Sequence, residues 1–414
     1  MTTKYFLVSH LFLRAPPVTV PPHVIVHHVI ARPGKGCGYP WTNKIMRHSK
    51  IISATIILLT GFILNASGRD TVLFHDISHR ITAEARPVYN IPTHGFYRGY
   101  NDTGKAIPAA VSAHLKYGFS LNPASRLGQL YPTAYQGIGL SVMSFFSHDL
   151  TGTPVMAYIF QGGRIADLGE SLSLGYEWNL GASYGWRVND VVGSRWNIYI
   201  NVGLPLTWHI SPLWELSFGP EYTHFSNGDT TFPNGGANTM GLRIGVTARL
   251  DGHAGEKAPG RMLVAKEKGL KDRRFGERIS YDLTVYGGWR ADRHVEQGHL
   301  TIENKAFATA GLCFNPLYRL NRYFSAGAAL DLMMDRSSGE ACGLSVRGEL
   351  TMPFFSINLG AGYNILSSDD ELRGFYTTYN LKAFVSRHIF LNIGYRLSSV
   401  IYSHNLMFGI GARF

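Results

Sequence analysis

Long apolar runs, charge and cysteine are all in short supply in this 414-residue chain. An α-helical membrane protein would be clearly apolar overall, and no stretch reaches the roughly 20 residues that a spanning helix needs. Charged residues make up only 16%, against about a quarter in ordinary soluble domains. The three cysteines, Cys37, Cys313 and Cys342, include no close pair, so a zinc site is unsupported and no spacing dictates a Cys313–Cys342 disulfide. Acidic residues are missing altogether from positions 1–68, where Lys4, Arg14, Arg32, Lys35, Lys44, Arg47 and Lys50 lie. Setting those seven aside reduces the formal charge from +11 to +4, which removes most of the case for a nucleic-acid partner.

What is abundant points elsewhere. Gly 46, Tyr 22 and Phe 23 are high counts, and the mean hydropathy is −0.03. Strands with one lipid-facing and one polar face average to this composition.

From Met46 the chain reads MRHSK, then IISATIILLTGFIL, then NASG. A basic segment, an apolar segment and a small-residue exit in that order read as a signal peptide at 46–68, cleaved near Gly68. No cysteine follows it to carry a lipid anchor. Residues 1–45 precede this complete export signal and read as a mis-assigned upstream extension that takes no part in the fold.

The clearest strand is Trp196–Trp208, where Trp196, Ile198, Ile200, Val202, Leu204, Leu206 and Trp208 alternate with Asn197, Tyr199, Asn201, Gly203, Pro205 and Thr207. Alternation over thirteen residues is about twice the usual length of a soluble strand. The chain ends in the same way, with Leu406, Phe408, Ile410, Ala412 and Phe414 on one parity. Eight such segments are expected before residue 250, near 87–100, 107–121, 134–147, 153–166, 170–186, 195–208, 213–226 and 239–250. Eight more are expected near 279–293, 304–317, 321–336, 340–352, 354–366, 372–385, 388–400 and 404–414. The first is the weakest, and 122–133 fits poorly as a short turn. Residues 251–278, polar and without alternation, read as a linker. The expected fold is therefore all-β, an antiparallel transmembrane β-barrel of eight strands at 69–250 followed by a second eight-stranded half at 279–414. A single sixteen-stranded barrel is the alternative.

One strand end carries chemistry. From Trp214 the even positions run Trp214, Leu216, Phe218, Pro220, Tyr222, His224, Ser226. If the apolar parity faces lipid, His224 and Ser226 do too. A serine hydroxyl becomes a competent nucleophile when an imidazole takes its proton, and residues i and i+2 share one face of a strand. The following loop holds Gly228, Pro233, Asn234, Gly235 and Gly236, a composition able to aim backbone N–H groups at a developing oxyanion. Asn238 has the parity of Met240, Leu242, Ile244 and Val246, and is placed to orient His224. Against this stands the ordinary occurrence of polar residues at membrane interfaces. A second His-x-Ser, His209–Ser211, adjoins Pro212 in a presumed turn and reads as a chance match. No metal-ligand cluster appears near the site, and no cofactor is implied.

The run YTHFSNGDTTFPNGGAN, Tyr222–Asn238, resembles the active-site segment of the PagL-type outer-membrane lipid A deacylases, also known as the acyloxyacyl hydrolase family. YQGIGL at Tyr135–Leu140 and SLGYEWNLG at Ser173–Gly181 extend the likeness over about 90–250. The resemblance implies an outer-membrane, eight-stranded esterase that removes an ester-linked acyl chain from the lipid A of lipopolysaccharide; strand parity, with the first strand leaving the periplasm, puts the site at the outer leaflet. It implies Ser226 as nucleophile, His224 as base, and the amides of Asn227 and Gly228 as oxyanion donors. The founding members carry Glu where this chain has Asn238. An asparagine holds an imidazole by a hydrogen bond but does not offset the charge of an imidazolium, which implies a weaker catalyst or a contribution from another acid. Glu221, inward on this parity, is a poor substitute. The sequence assigns no oligomeric state and no role to 279–414. The competing reading is a non-enzymatic barrel, either a channel or an adhesion and scaffold protein. A wide pore would line its lumen with paired charges, whereas small barrels fill theirs with packed side chains.

Overall fold

The computed structural model describes residues 77–121, 126–250, 278–296, 299–368, 372–398 and 404–414. The expected upstream extension at 1–45, the signal peptide at 46–68 and all but the last residue of the expected linker at 251–278 lie outside the described residues. Among the described residues no helix is long and apolar enough to cross a membrane.

The first set of strands comprises β1 (Ser78–Ile91), β2 (Ala109–Ser120), β3 (Tyr135–Ser144), β4 (Gly152–Asp167), β5 (Leu172–Trp186), β6 (Trp196–Gly203), β7 (Leu206–His209), β8 (Trp214–Ser226) and β9 (Ala237–Arg249). The second comprises β10 (Ile279–Glu296), β11 (His299–Arg319), β12 (Phe324–Asp335), β13 (Gly339–Thr351), β14 (Phe355–Ser367), β15 (Gly374–Phe384), β16 (Ile389–Ser398) and β17 (His404–Arg413). β6 and β7 are one stave of the barrel, interrupted at Leu204–Pro205. Pro205 has no N–H to give the ladder, and both segments pair with β5 and β8.

Each set closes on itself. β9 returns to β1, from Arg80↔Arg249 to Ile91↔Asn238, and β17 returns to β10, from Asp282↔Arg413 to Gly287↔Phe408. The protein thus contains two closed antiparallel barrels of eight staves, and the single sixteen-stranded alternative is overturned. Closure leaves no unpaired edge, the condition for a sheet to exist in lipid. The alternation decides which side of each strand faces out. In β8, Trp214, Leu216, Phe218 and Tyr222 are exposed, whereas Glu215, Glu221, Thr223 and Phe225 are buried.

Both lumens are filled. In the first barrel Lys116 Nζ lies 2.7 Å from Glu84 and 2.7 Å from Glu177, Arg243 lies 2.7 Å from Glu177, and Arg86 lies 3.1 Å from Glu221. Three carboxylates and three cations balance, and all six are buried. In the second, Lys382 and Arg413 both bridge Asp282 and Glu349, and Arg347 meets Asp331 at 2.6 Å. Side-chain packing of this kind is the small-barrel pattern, not an aqueous pore.

One expectation changes and two open points are answered. The first strand is Ser78–Ile91, not 87–100. Its outward parity carries Ala83, Ala85 and Pro87, and its inward parity carries Glu84 and Arg86, so a lipid-spanning segment reads as merely polar. Residues Gly95–Arg98 instead form a 3-10 turn capped by His94, whose Nδ1 accepts from Phe96 N at 3.1 Å. The stretch 122–133 contains a short helix, Arg126–Leu130, and is more than a turn. Cys313 and Cys342 are both free thiols.

Candidate active site

β8 and β9 are joined at one end by the loop 227–236, and their last ladder pairs bring the expected residues together. His224 stands directly opposite Asn238, and Ser226 lies two positions further along the outward parity, opposite Ile198 of β6. Directly opposed side chains in an antiparallel pair are within contact range. His224 Nδ1 and Asn238 Oδ1 are 2.7 Å apart, and Tyr222 OH donates to the same oxygen at 2.6 Å. Asn238 Oδ1 accepts both bonds, so the proton of a neutral His224 resides on Nδ1. Nε2 is left with its lone pair, the form a general base needs. Among the described residues neither His224 Nε2 nor Ser226 Oγ has a hydrogen-bond partner. Both side chains are half-buried on the outward face.

The loop behind Ser226 is held from several directions. Asn234 Oδ1 accepts from the Asn227 backbone N–H at 2.9 Å, and Asn234 Nδ2 donates to Asp229 Oδ1 at 2.9 Å. Asn227 Nδ2 donates to Thr231 O at 2.7 Å. From outside the loop, Gly193 N donates to Pro233 O at 2.7 Å, Gly235 N to Val191 O at 2.8 Å, and Tyr97 OH to Gly236 O at 2.9 Å. Burial pushes the Tyr97 phenol pKa well up, so it stays a donor at any ordinary pH. Gly228 (φ +67°) and Asp229 (φ +62°) are both left-handed, which turns the chain sharply just past the serine. Of the two amides expected as oxyanion donors, that of Asn227 is engaged by Asn234, whereas that of Gly228 has no partner among the described residues.

The remaining candidates are accounted for elsewhere. Glu221 points into the lumen against Arg86. His209 Nδ1 lies 3.3 Å from Glu215, its Nε2 lies 3.0 Å from Ser173 Oγ, and Ser211 Oγ accepts from Leu213 N and Trp214 N. That second His-x-Ser is a turn. Two participants escaped the sequence reading. Tyr222 shares the parity of His224 and was detectable by that alone. Asn234 was not, because its bond depends on how the loop folds back. Among the described residues no group of three His, Cys, Asp or Glu side chains gathers to hold a metal.

Several solved barrels are similar to this chain in outline. A de novo designed transmembrane β-barrel is 13% identical, covering 33% of this chain and 96% of its own, with a TM-score of 0.22. The KdgM porin in complex with disordered oligogalacturonate is 8% identical, covering 68% and 98%, with a TM-score of 0.18. Omp33, an outer membrane protein of Acinetobacter baumannii, is 7% identical, covering 81% and 98%, with a TM-score of 0.16. At such scores the likeness carries no argument about the site. No curated protein matches the chain. The family model for lipid A 3-O-deacylase (PagL) matches residues 80–247, and that for the acyloxyacyl hydrolase C-terminal domain matches residues 279–414. With both barrels matched, this chain belongs to the PagL family of outer-membrane lipid A deacylases.

Proposed function

We propose that the protein hydrolyses an ester-linked acyl chain of lipid A by a serine–histidine mechanism, with Ser226 as nucleophile and His224 as general base. The observation that carries this reading is the 2.7 Å contact between His224 Nδ1 and Asn238 Oδ1. It orients the ring and leaves Nε2 basic, with Ser226 on the same face two residues on. Nε2 accepts the Ser226 proton as Oγ attacks the ester carbonyl. The negative charge that collects on the carbonyl oxygen falls to the free amide of Gly228, with the amide of Asn227 beside it once Asn234 yields. Collapse of the tetrahedral intermediate expels the sugar hydroxyl, which takes its proton from the imidazolium. Water, deprotonated by His224, then releases the fatty acid from Ser226.

The position of the site supports the substrate. His224, Ser226 and Asn238 lie on the outward parity, level with the end of the apolar face and remote from the lumen. We infer that this end faces the outer leaflet, where lipid A is anchored, so that the ester reaches the serine from within the bilayer. The matched family description names the 3-O position as the bond cut, and that is the bond we assign.

The test is to incubate the purified, refolded chain with lipopolysaccharide and follow lipid A by mass spectrometry. Wild type should release one hydroxyacyl group, and Ser226→Ala should release none. An unchanged acyl number with wild type, or equal release by the variant, overturns the reading.

A further inference from the structure

Among the described residues the two barrels touch at two places. At the turn end, Gln161 has the outward parity of Val155 and Ile159 yet is 0% exposed. It accepts at 2.9 Å from Trp178 Nε1, whose ring meets Phe355 edge-on at 5.2 Å and whose N–H also reaches Met352 Sδ. Tyr131 stacks edge-on against Tyr323 beside it. A polar side chain buried on a lipid-facing parity marks a surface covered by protein.

The second contact reaches the catalytic loop. In β17 the outward residues Phe408 and Ile410 are 45% and 56% exposed, but Leu406 on the same parity is only 7% exposed. It is covered by Gly228, where an added Cβ would lie 3.1 Å from Leu406 Cβ. Next to it, Ala291 N donates to Asp229 O at 2.8 Å. Ala291 sits in the β-bulge of β10, where the register to β11 shifts between Arg290 and Asp292. A bulged residue is left out of the ladder, and this one spends its N–H on the other barrel.

We propose that the C-terminal barrel positions the oxyanion loop of the N-terminal barrel, with Ala291 and Leu406 as positioning residues. The inference rests on the Ser226 reading above. The chain of bonds is continuous: Ala291 N–H holds the Asp229 carbonyl, the Asp229 carboxylate holds Asn234, and Asn234 holds the amide that follows Ser226. Leu406 sets the height of Gly228, whose amide is the free donor. Neither residue touches the reacting atoms. Their loss should therefore lower kcat and leave KM for lipopolysaccharide little changed, because binding is similar and only the transition state loses its aligned donors.

Three variants of the full chain test this. Ala291→Pro removes the N–H at a bulge, a position proline tolerates in a sheet. Ala291→Gly keeps the N–H and serves as control. Leu406→Ala withdraws the side chain under Gly228. Barrel closure is checked in each by the heat-sensitive electrophoretic shift of the folded form. Ala291→Pro and Leu406→Ala are expected to lose roughly tenfold or more in kcat, within the range known for small misplacements of reacting groups, with Ala291→Gly near wild type. If Ala291→Pro fails to close, Leu406→Ala decides alone. Folded variants that match an active wild type overturn the inference and leave the proposed function standing. A wild-type chain that removes no acyl group overturns both.

Discussion

Asn238 governs what His224 can do. Its oxygen fixes the tautomer through a 2.7 Å contact, but an amide cannot compensate the positive charge that the ring would acquire by taking the Ser226 proton in the proposed mechanism. Asn238→Asp keeps the shape and places a carboxylate oxygen at the same position. Steady-state deacylation should then show kcat raised by about tenfold, the equivalent of about 1.4 kcal/mol of transition-state stabilisation. Asn238→Leu should lower it, since the ring is then free to turn. Tyr222 supplies the second donor to Asn238 Oδ1. Tyr222→Phe leaves the His224 contact in place and should cost kcat only about threefold, a typical single neutral hydrogen bond. A loss as large as that of Ser226→Ala would instead give Tyr222 a direct part in the chemistry.

At the scale of the strand, β8 shows how alternation and depth act together. Phe218 and Ile244 face each other across β8 and β9 on the outward side, and both are about half exposed. A charge near the middle of this face must leave water for hydrocarbon. Phe218→Arg should lower unfolding free energy in lipid vesicles by about 2–4 kcal/mol, measured by denaturant titration. An Arg at Trp214, at the strand's turn end, should cost about 0–1 kcal/mol. The same alternation made most strands readable. Thirteen residues of it in 196–208 located a stave even though Pro205 breaks its hydrogen bonding. It failed at Ser78–Ile91, where small outward residues and inward charges erase the contrast in hydropathy. Apart from Glu84–Arg86 within β1, the lumen charges are paired across strands, and such pairing leaves no trace in the order of residues along one of them.

For the whole molecule, the filled lumens separate an enzyme scaffold from a channel. Lys116 is held between Glu84 and Glu177 with 2.7 Å contacts to each. Lys116→Met would leave the buried carboxylates short of one cation, and breaking such a cluster costs about 3–5 kcal/mol. Denaturant unfolding of the reconstituted variant should show that loss, while the lipid-facing site remains chemically intact. Reconstituted into planar bilayers, wild type should pass no steady ionic current, because Arg86, Arg243, Arg290 and Arg396 are fully buried within the two barrels.

Period-two hydropathy is a local property, and it sufficed for the all-β class, for most strand positions and for the outward parity of His224, Ser226 and Asn238. The run Tyr222–Asn238 added the kinship. Closure was a different matter, because which strand β9 pairs with depends on register and curvature accumulated over the whole sheet, and one barrel of sixteen satisfies the same pattern. The loop was likewise beyond reach. Its conformation is held by Asn234 folding back and by contacts from Val191, Gly193 and Tyr97, and Ala291 and Leu406 meet it from a barrel whose strands begin only at Ile279. Such contacts join residues far apart in the chain, so only the tertiary structure brings them to the serine.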